Sequence, residues 1–190
     1  HITIVVTKLS KGALSLEEIN LLEDKQLANK LAIYSYISFV VFGIIFYIIM
    51  KFSDAPKFFD SLLVNALFVI ILIVLMFVIH ECIHGVCFKL FSPKNKVYFG
   101  AANGMIYCAI PGGTFTPLTF LISSIAPFVI ITMLFIVTLF LGWFPRGLFF
   151  FFATFHAGCC AGDFYWVWKM IKAPKDATIE TTDKGIIIHS

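Results

Sequence analysis

Four long apolar segments dominate the pattern of hydrophobic and polar positions along the chain. They cover about residues 31–50, 62–89, 118–144 and 148–171, and the connections between them hold most of the prolines. Most charged residues lie outside the four segments. A transmembrane helix needs roughly 20 apolar residues to cross the hydrocarbon core of a bilayer. The pattern therefore predicts an all-α polytopic membrane protein with four transmembrane helices.

The segments divide the chain into an N-terminal region, a transmembrane domain and a tail, at residues 1–30, 31–174 and 175–190. In the first region, Ile2–Val6 is typical of a short strand. The capping-box pattern at Ser15–Glu18 predicts an amphipathic helix that continues to the end of this region. In the tail, Asp183–Gly185 predicts a turn before a strand-like run at Ile186–Ile188.

Composition supports the membrane class and excludes several others. Hydrophobic residues make up 60% of the chain and charged residues 13%, whereas a typical soluble domain has about 25% charged residues. The net charge of +3 does not indicate nucleic acid as a partner, because the basic residues are spread over the terminal regions and the connections that flank the apolar segments. The five cysteines form no C-x-x-C pair, and most lie in apolar segments, where they are expected to be small buried hydrophobic residues.

The distribution of basic residues predicts the orientation. Four spans place both termini and the loop after the second segment on the same side. Eleven lysines lie on that side: 8, 11, 25, 30, 89, 94, 96, 169, 172, 175 and 184. Lys51, Lys57 and Arg146 are the three basic residues on the other side. Because basic loops stay in the cytoplasm, both termini are predicted to be cytoplasmic in a multi-pass cell-membrane protein.

A motif inside the second segment carries the chemistry. His80 and His84 are one helical turn apart, so their imidazoles project from one face and can bind one Zn²⁺. Glu81 beside them can act as general base to a water molecule. Charged groups inside a span are costly, on the order of 2.5–3.5 kcal/mol each by insertion scales, so their presence indicates function.

Asp163 is the best candidate for a third zinc ligand, because it is the only acidic residue in the fourth segment. The second and fourth segments run in the same direction, so their depths can be compared from their cytoplasmic lysines. Asp163 lies six residues before Lys169, roughly 9 Å along a helix. His84 and His80 lie roughly 7.5 and 13.5 Å before Lys89 on the same basis. The three side chains are therefore expected at one level.

His156 permits more than one interpretation. On a straight helix it lies roughly 10 Å from Asp163, so it is expected to contact substrate or the developing oxyanion, or to pair with another polar group. A rival ligand set would use His156 and Cys160, but it leaves Asp163 unexplained. The small residues between them, at four-residue spacing such as Gly158 and Gly162, predict close helix packing in lipid.

The connection before the third segment predicts a substrate-binding element. Val97–Phe99 and Met105–Ile110 flank Asn103-Gly104, a dipeptide typical of a tight hairpin turn. A hairpin at membrane depth offers an edge to which an extended peptide can add as a strand. Asn103 is a candidate for a substrate contact, although a simple connecting loop is the alternative.

At these residues the chain resembles the bacterial putative zincin peptidase family, membrane proteins related to the site-2 proteases. The resemblance rests on His80–Gly85, Ala126–Phe128 and His156–Asp163, and extends from about residue 60 to 185. It implies a three-helix metalloprotease core in which His80, His84 and Asp163 bind zinc and Glu81 is the catalytic acid and base. Site-2 proteases carry the third ligand in Leu-Asp-Gly, whereas this chain has Gly162-Asp163-Phe164.

The expected function is that of a zinc-dependent metalloendopeptidase that cleaves a membrane-embedded or juxtamembrane protein or peptide. The main alternative is a catalytically silent membrane adaptor or scaffold that binds the metal structurally. A transporter or haem protein with intramembrane histidines is a third possibility, but it does not explain Glu81 beside His80.

Overall fold

The computed structural model describes residues 16–20, 24–58, 61–102 and 105–190. This part of the chain is mostly helical, with five helices and six short strands. The helices are α1 Lys25–Lys51, α2 Leu62–Phe91, α3 Pro117–Phe140, α4 Arg146–Cys159 and α5 Ala161–Lys172. The strands are β1 Leu16–Asn20, β2 Tyr98–Ala102, β3 Met105–Ala109, β4 Thr114–Phe115, β5 Thr178–Thr181 and β6 Gly185–His189.

Three of the helices are long and apolar enough to cross a membrane. Among the described residues these are α1, α2 and α3, and the number rises to four if α4 and α5 together count as one bent span. The apolar segments therefore predict the first three helices within a few residues. Their surfaces carry many exposed large aliphatic and aromatic side chains, as expected of helices that face lipid.

The fourth segment is not the single straight helix that its apolar run predicts. It consists of α4 and α5, which are bent by 50° at a break that contains Cys160. The backbone N–H of Cys160 donates to the His156 carbonyl and completes the last turn of α4. Two glycines lie within two residues of the break, and glycine weakens a helix. A count of apolar residues cannot detect such a break, because hydrophobicity continues through it.

The chain divides into two compact units, which are described separately, and α2 continues without interruption from one into the other. The helical unit comprises residues 31–80 and 127–162. Its core is aromatic, with Phe46, Phe149 and Phe152 almost fully buried. Helix α1 packs closely on α4 at Gly158: Ser35 Oγ donates to the Gly158 carbonyl over 2.8 Å, and a Cβ at Gly158 would overlap a phenyl ring of α1.

The mixed unit comprises residues 1–30, 81–126 and 163–190. In its described part, β1, β6, β5 and β4 form an antiparallel sheet in that order, and β2 pairs with β3 in a separate hairpin. The hairpin register, Tyr98 opposite Ala109, agrees with the predicted turn at Asn103-Gly104, although those two residues lie outside the described ones. The strand predicted at Ile186–Ile188 is part of β6, which follows a turn as expected.

The N-terminal region differs from the prediction. The helix expected to open at Ser15–Glu18 is absent from the described residues there, since Leu16–Asn20 is strand β1 and pairs with β6. Helix α1 instead begins at Lys25, where Asp24 Oδ1 accepts the first free backbone N–H groups at 2.8 and 3.0 Å. Pairing with a strand at the other end of the chain outweighs the local capping pattern. The predicted strand at Ile2–Val6 lies outside the described residues.

An aromatic cluster joins α2, β4, α3 and α5 in the mixed unit. The ring of Phe88 on α2 lies 5.6 Å from Phe115 in β4 and 6.1 Å from Phe120 on α3. Phe120 in turn lies 6.0 Å from Trp166 on α5 in an edge-to-face arrangement. Such ring pairs add to the free energy of burial. The cluster fixes the ends of α2, α3 and α5 against one another.

Candidate metal centre

Helix α2 presents the two motif histidines one turn apart. His80 and His84 are each 8% exposed, and the helix between them is unbroken. Residues at this spacing on a helix have Cβ atoms roughly 5–6 Å apart on one face. The distance between the two imidazoles is therefore set by local helix geometry.

His84 is held by both of its ring nitrogens. Its Nδ1 lies 2.9 Å from the backbone carbonyl oxygen of Ser123 on α3, and a carbonyl can only accept, so Nδ1 carries the proton. Its Nε2 then presents a lone pair and lies 3.1 Å from Asp163 Oδ1 on α5. A carbonyl partner on the far nitrogen is what fixes the tautomer of a metal-binding histidine.

The Ser123 carbonyl is available for a reason that the sequence contains. In an α-helix the carbonyl of residue 123 would accept the N–H of residue 127, but that residue is Pro127 within α3. Proline has no N–H, so the carbonyl four residues earlier loses its helical donor. His84 Nδ1–H takes that place. Ser123 was missed by reasoning from side chains, whereas Pro127 was the feature that could have revealed it.

The pair His84 and Asp163 fits a bound cation. Both facing atoms are acceptors when the carboxylate is charged, so a proton or a metal ion must lie between them. Zinc bonds of 2.0–2.2 Å in tetrahedral geometry place two ligand atoms about 3.3 Å apart, close to the 3.1 Å between Nε2 and Oδ1. An N/O donor pair in a largely buried position is chemically suited to Zn²⁺.

His80 lies one helical turn before His84 on the uninterrupted helix α2, so its place beside His84 follows from the helix itself. Two histidines and one carboxylate are the protein ligands of several catalytic zinc sites, which keep a further position open for substrate or water. The three residues predicted as ligands are of these types.

His80 and His156 are in direct contact within the helical unit. His80 Nδ1 lies 3.0 Å from His156 Nε2, and His156 is 1% exposed. Of the three roles considered for His156, pairing with another polar group is therefore the one that the geometry realises. Cys160 Sγ lies 3.7 Å from the same Nε2, so His80, His156 and Cys160 form a second group of closely spaced donors.

Glu81 is buried, at 8% exposure, in the turn that links the two histidines. Its negative charge acts on the thiol of Cys108 in β3. Burial above all, and then this charge, raises the pKa of Cys108 to about 12. Glu81 therefore lies where the hairpin approaches α2.

Gly85 allows that approach. A Cβ at this position would lie 3.2 Å from the Phe99 ring, 3.4 Å from a Val97 methyl group and 3.6 Å from Cys108 Sγ. The hairpin thus packs on α2 at the residue that follows His84. Asn103, the predicted substrate contact at the hairpin turn, lies outside the described residues.

Comparison with known proteins agrees with this geometry. A family model described as "Putative zincin peptidase" matches residues 72–178, more than half of the 190-residue chain. The chain belongs to the zincin peptidase family. The matched region of this family member contains both histidines of the α2 motif, Glu81 and Asp163, and the family description implies zinc. No curated protein and no solved structure matches the chain.

Proposed function

We propose that this protein is a membrane-embedded zinc metalloendopeptidase with a three-helix core like that of the site-2 proteases. His80, His84 and Asp163 are the zinc ligands, and Glu81 is the catalytic acid and base. The observation that carries the proposal is the approach of Asp163 Oδ1 to His84 Nε2, at 3.1 Å, while the other ring nitrogen is bound to a carbonyl. Membership of a zincin peptidase family supports it.

Different residues of the chain transfer the proton and orient the zinc ligands in the proposed reaction. When bound, zinc supplies Lewis acidity that polarises the scissile carbonyl and lowers the pKa of water. Glu81 accepts the proton of the water that attacks the carbonyl carbon. It then delivers that proton to the amide nitrogen as the carbon–nitrogen bond breaks, so one water is consumed for each peptide bond. The Ser123 carbonyl holds the His84 ring in orientation through its Nδ1 atom. His156 does the same for the His80 ring through the Nδ1 atom of His80.

The hairpin is the proposed binding element for an extended substrate. In its described residues β2 and β3 pair only with each other, so the sheet they form is two-stranded and has two outer edges. An extended peptide can add to such an edge through backbone hydrogen bonds. The close packing at Gly85 brings the hairpin next to the turn that carries Glu81 and His84. A membrane-embedded or juxtamembrane segment that unwinds locally is the substrate class that fits.

The sheet of the mixed unit supports four crossings of the membrane. Strand β1 precedes α1 and β6 follows α5, and the two strands pair along their length. Because paired strands lie on the same side of a membrane, an even number of crossings separates them. Counting α4 and α5 as one bent span gives four crossings, whereas a re-entrant α4–α5 pair gives three. The excess of lysines on that side favours the cytoplasm for both termini.

Zinc content and cleavage, measured together, test the proposal. Purified protein in detergent is expected to hold zinc that His84→Ala loses, because one of three ligands is removed. Glu81→Gln is expected to keep the zinc and to cleave a model transmembrane peptide at least 100-fold more slowly, since proton transfer typically contributes 10²–10⁴-fold. His189→Ala and Glu18→Gln change the same residue types outside the site and serve as matched controls.

Two outcomes contradict the enzyme. Cleavage that is unchanged by Glu81→Gln removes the proposed acid and base. Zinc binding in the expected pattern without cleavage of any membrane peptide supports the catalytically silent adaptor instead. A transporter or haem protein is indicated only if the purified protein is coloured or carries an ion flux.

A further inference from the structure

A second cluster of metal-binding side chains lies in the helical unit. It consists of His80, His156 and Cys160, which are 8%, 1% and 0% exposed. Their donor atoms lie within 4.8 Å of one another. The proposed peptidase reaction uses His156 only as a hydrogen-bond partner and does not use Cys160.

The last turn of α4 places two members of the cluster side by side. His156 and Cys160 are one helical turn apart, and Cys160 is the residue at which α4 ends. Its backbone N–H still completes the last turn, so the thiol stays beside the imidazole, with Sγ 3.7 Å from Nε2. The neighbouring Cys159 is exposed and is in no such group of the described residues.

The distances agree with tetrahedral coordination of a thiophilic cation. Bonds of about 2.0–2.1 Å to nitrogen and 2.3 Å to sulfur imply nitrogen–nitrogen and nitrogen–sulfur separations of about 3.3 and 3.6 Å. The structure has 3.0 Å between His80 Nδ1 and His156 Nε2, and 3.7 Å between that Nε2 and Cys160 Sγ. A thiolate with two imidazoles selects soft d¹⁰ ions such as Zn²⁺, Cd²⁺ and Cu⁺.

We propose that His80, His156 and Cys160 form a second metal site, which binds a thiophilic cation and competes for His80 with the site at His84 and Asp163. A neutral imidazole has one lone-pair nitrogen at a time. When His80 donates its Nδ1 proton to His156, Nε2 is the ligand atom. Binding through Nδ1 instead moves the ring proton to Nε2, while the thiol of Cys160 releases its proton to solvent.

The consequence is an inhibitory site. A cation held by Cys160 withdraws His80 from the proposed catalytic zinc, so excess thiophilic metal lowers cleavage. This consequence rests on the proposed function, whereas the site itself does not.

Cd²⁺ titration of the purified full-length protein tests the site directly. Each bound cadmium–thiolate pair produces an ultraviolet charge-transfer absorption. The wild type and the matched control Cys159→Ser are expected to gain one equivalent of this absorption that Cys160→Ser lacks. His84→Ala is expected to retain it, since His84 is no part of the cluster. Circular dichroism and gel filtration confirm that the variants are folded.

Two results overturn the second site: absence of the absorption in the wild type, and its full retention in Cys160→Ser. Both are independent of peptidase activity, so a failure of the proposed enzyme leaves this test intact. If cleavage is observed, Cd²⁺ is expected to inhibit it over the concentration range in which the absorption appears. Relative to its own rate without added Cd²⁺, Cys160→Ser should need at least tenfold more Cd²⁺ for the same inhibition. Equal sensitivity of both proteins contradicts the competition for His80.

Discussion

Pro127 frees a backbone carbonyl one turn earlier in α3. By removing a backbone donor, it leaves the Ser123 carbonyl to accept the Nδ1 proton of His84. The tautomer of a proposed zinc ligand thus depends on a residue that touches neither the metal nor the substrate. The small serine at position 123 is fully buried, as a close approach of two helices requires.

Pro127→Ala tests this dependence. The restored N–H competes for the Ser123 carbonyl and loosens the hold on His84, so zinc affinity is expected to fall about 10- to 100-fold, as for other outer partners of metal-binding histidines. The measurement is competition with a zinc chelator. The metal-free variant should be no less stable to heat than the metal-free parent, because alanine favours a helix over proline.

A control variant separates this effect from a general effect of replacing a proline by alanine. Pro174→Ala changes an exposed proline that follows α5, and it should leave zinc affinity unchanged. Unaltered affinity in Pro127→Ala would mean that the freed carbonyl is not what orients His84.

Residue types and spacing were sufficient to place His80 beside His84, because helix periodicity alone brings the two side chains together. The role of these histidines and of Asp163 as zinc ligands stays a prediction. Residue types and spacing were insufficient for the contacts that orient those side chains. A backbone carbonyl such as Ser123 O has no side-chain pattern, and the pairing of His80 with His156 depends on how helices pack. Asp163 was assigned from depth on a straight helix, although the helix that carries it begins anew after the break at Cys160.

At the scale of secondary-structure elements, the position of the hairpin on α2 depends on Gly85, which has no side chain. Most residues of helix α2 are large and apolar, whereas at Gly85 the ring of Phe99 comes within 3.2 Å of where a Cβ would lie. A methyl group requires a small adjustment there, and a larger side chain displaces the strands. The position of the hairpin beside the motif is therefore sensitive to volume at this one residue.

A graded substitution at Gly85 tests the substrate role of the hairpin. Gly85→Ala should reduce cleavage at most a few-fold, whereas Gly85→Leu displaces the hairpin and should reduce it at least tenfold. Zinc content is expected to stay constant in both, because neither change touches a proposed ligand. Equal rates for the two variants, or zinc loss in parallel with activity, would contradict a separate role in substrate binding.

Elements were predictable where a local pattern decides them and not where distant partners do. The apolar runs predicted α1, α2 and α3, and Asn103-Gly104 predicted a hairpin, which β2 and β3 form. The pattern at Ser15–Glu18 predicted a helix, yet the segment is a strand because β6 offers it a partner. The bend between α4 and α5 likewise leaves no mark in the hydrophobicity.

For the whole molecule, the four-stranded sheet decides how the ends of the chain are arranged. Reporter fusions test the proposed topology. A reporter that is active only in the cytoplasm should work at both termini and fail when inserted near Lys57, in the connection between α1 and α2. An inverted pattern would reverse the orientation. Activity at only one terminus would require an odd number of crossings and would contradict the pairing of β1 with β6.

The same sheet sets an order of events during synthesis. Leu16 is synthesised before the five described helices, whereas its partner His189 is synthesised after them. Strand β1 therefore waits, with an unsatisfied edge, until helices α1 to α5 have been made. A nascent chain that stalls before β6 carries the three proposed zinc ligands but leaves β1 without its partner strand.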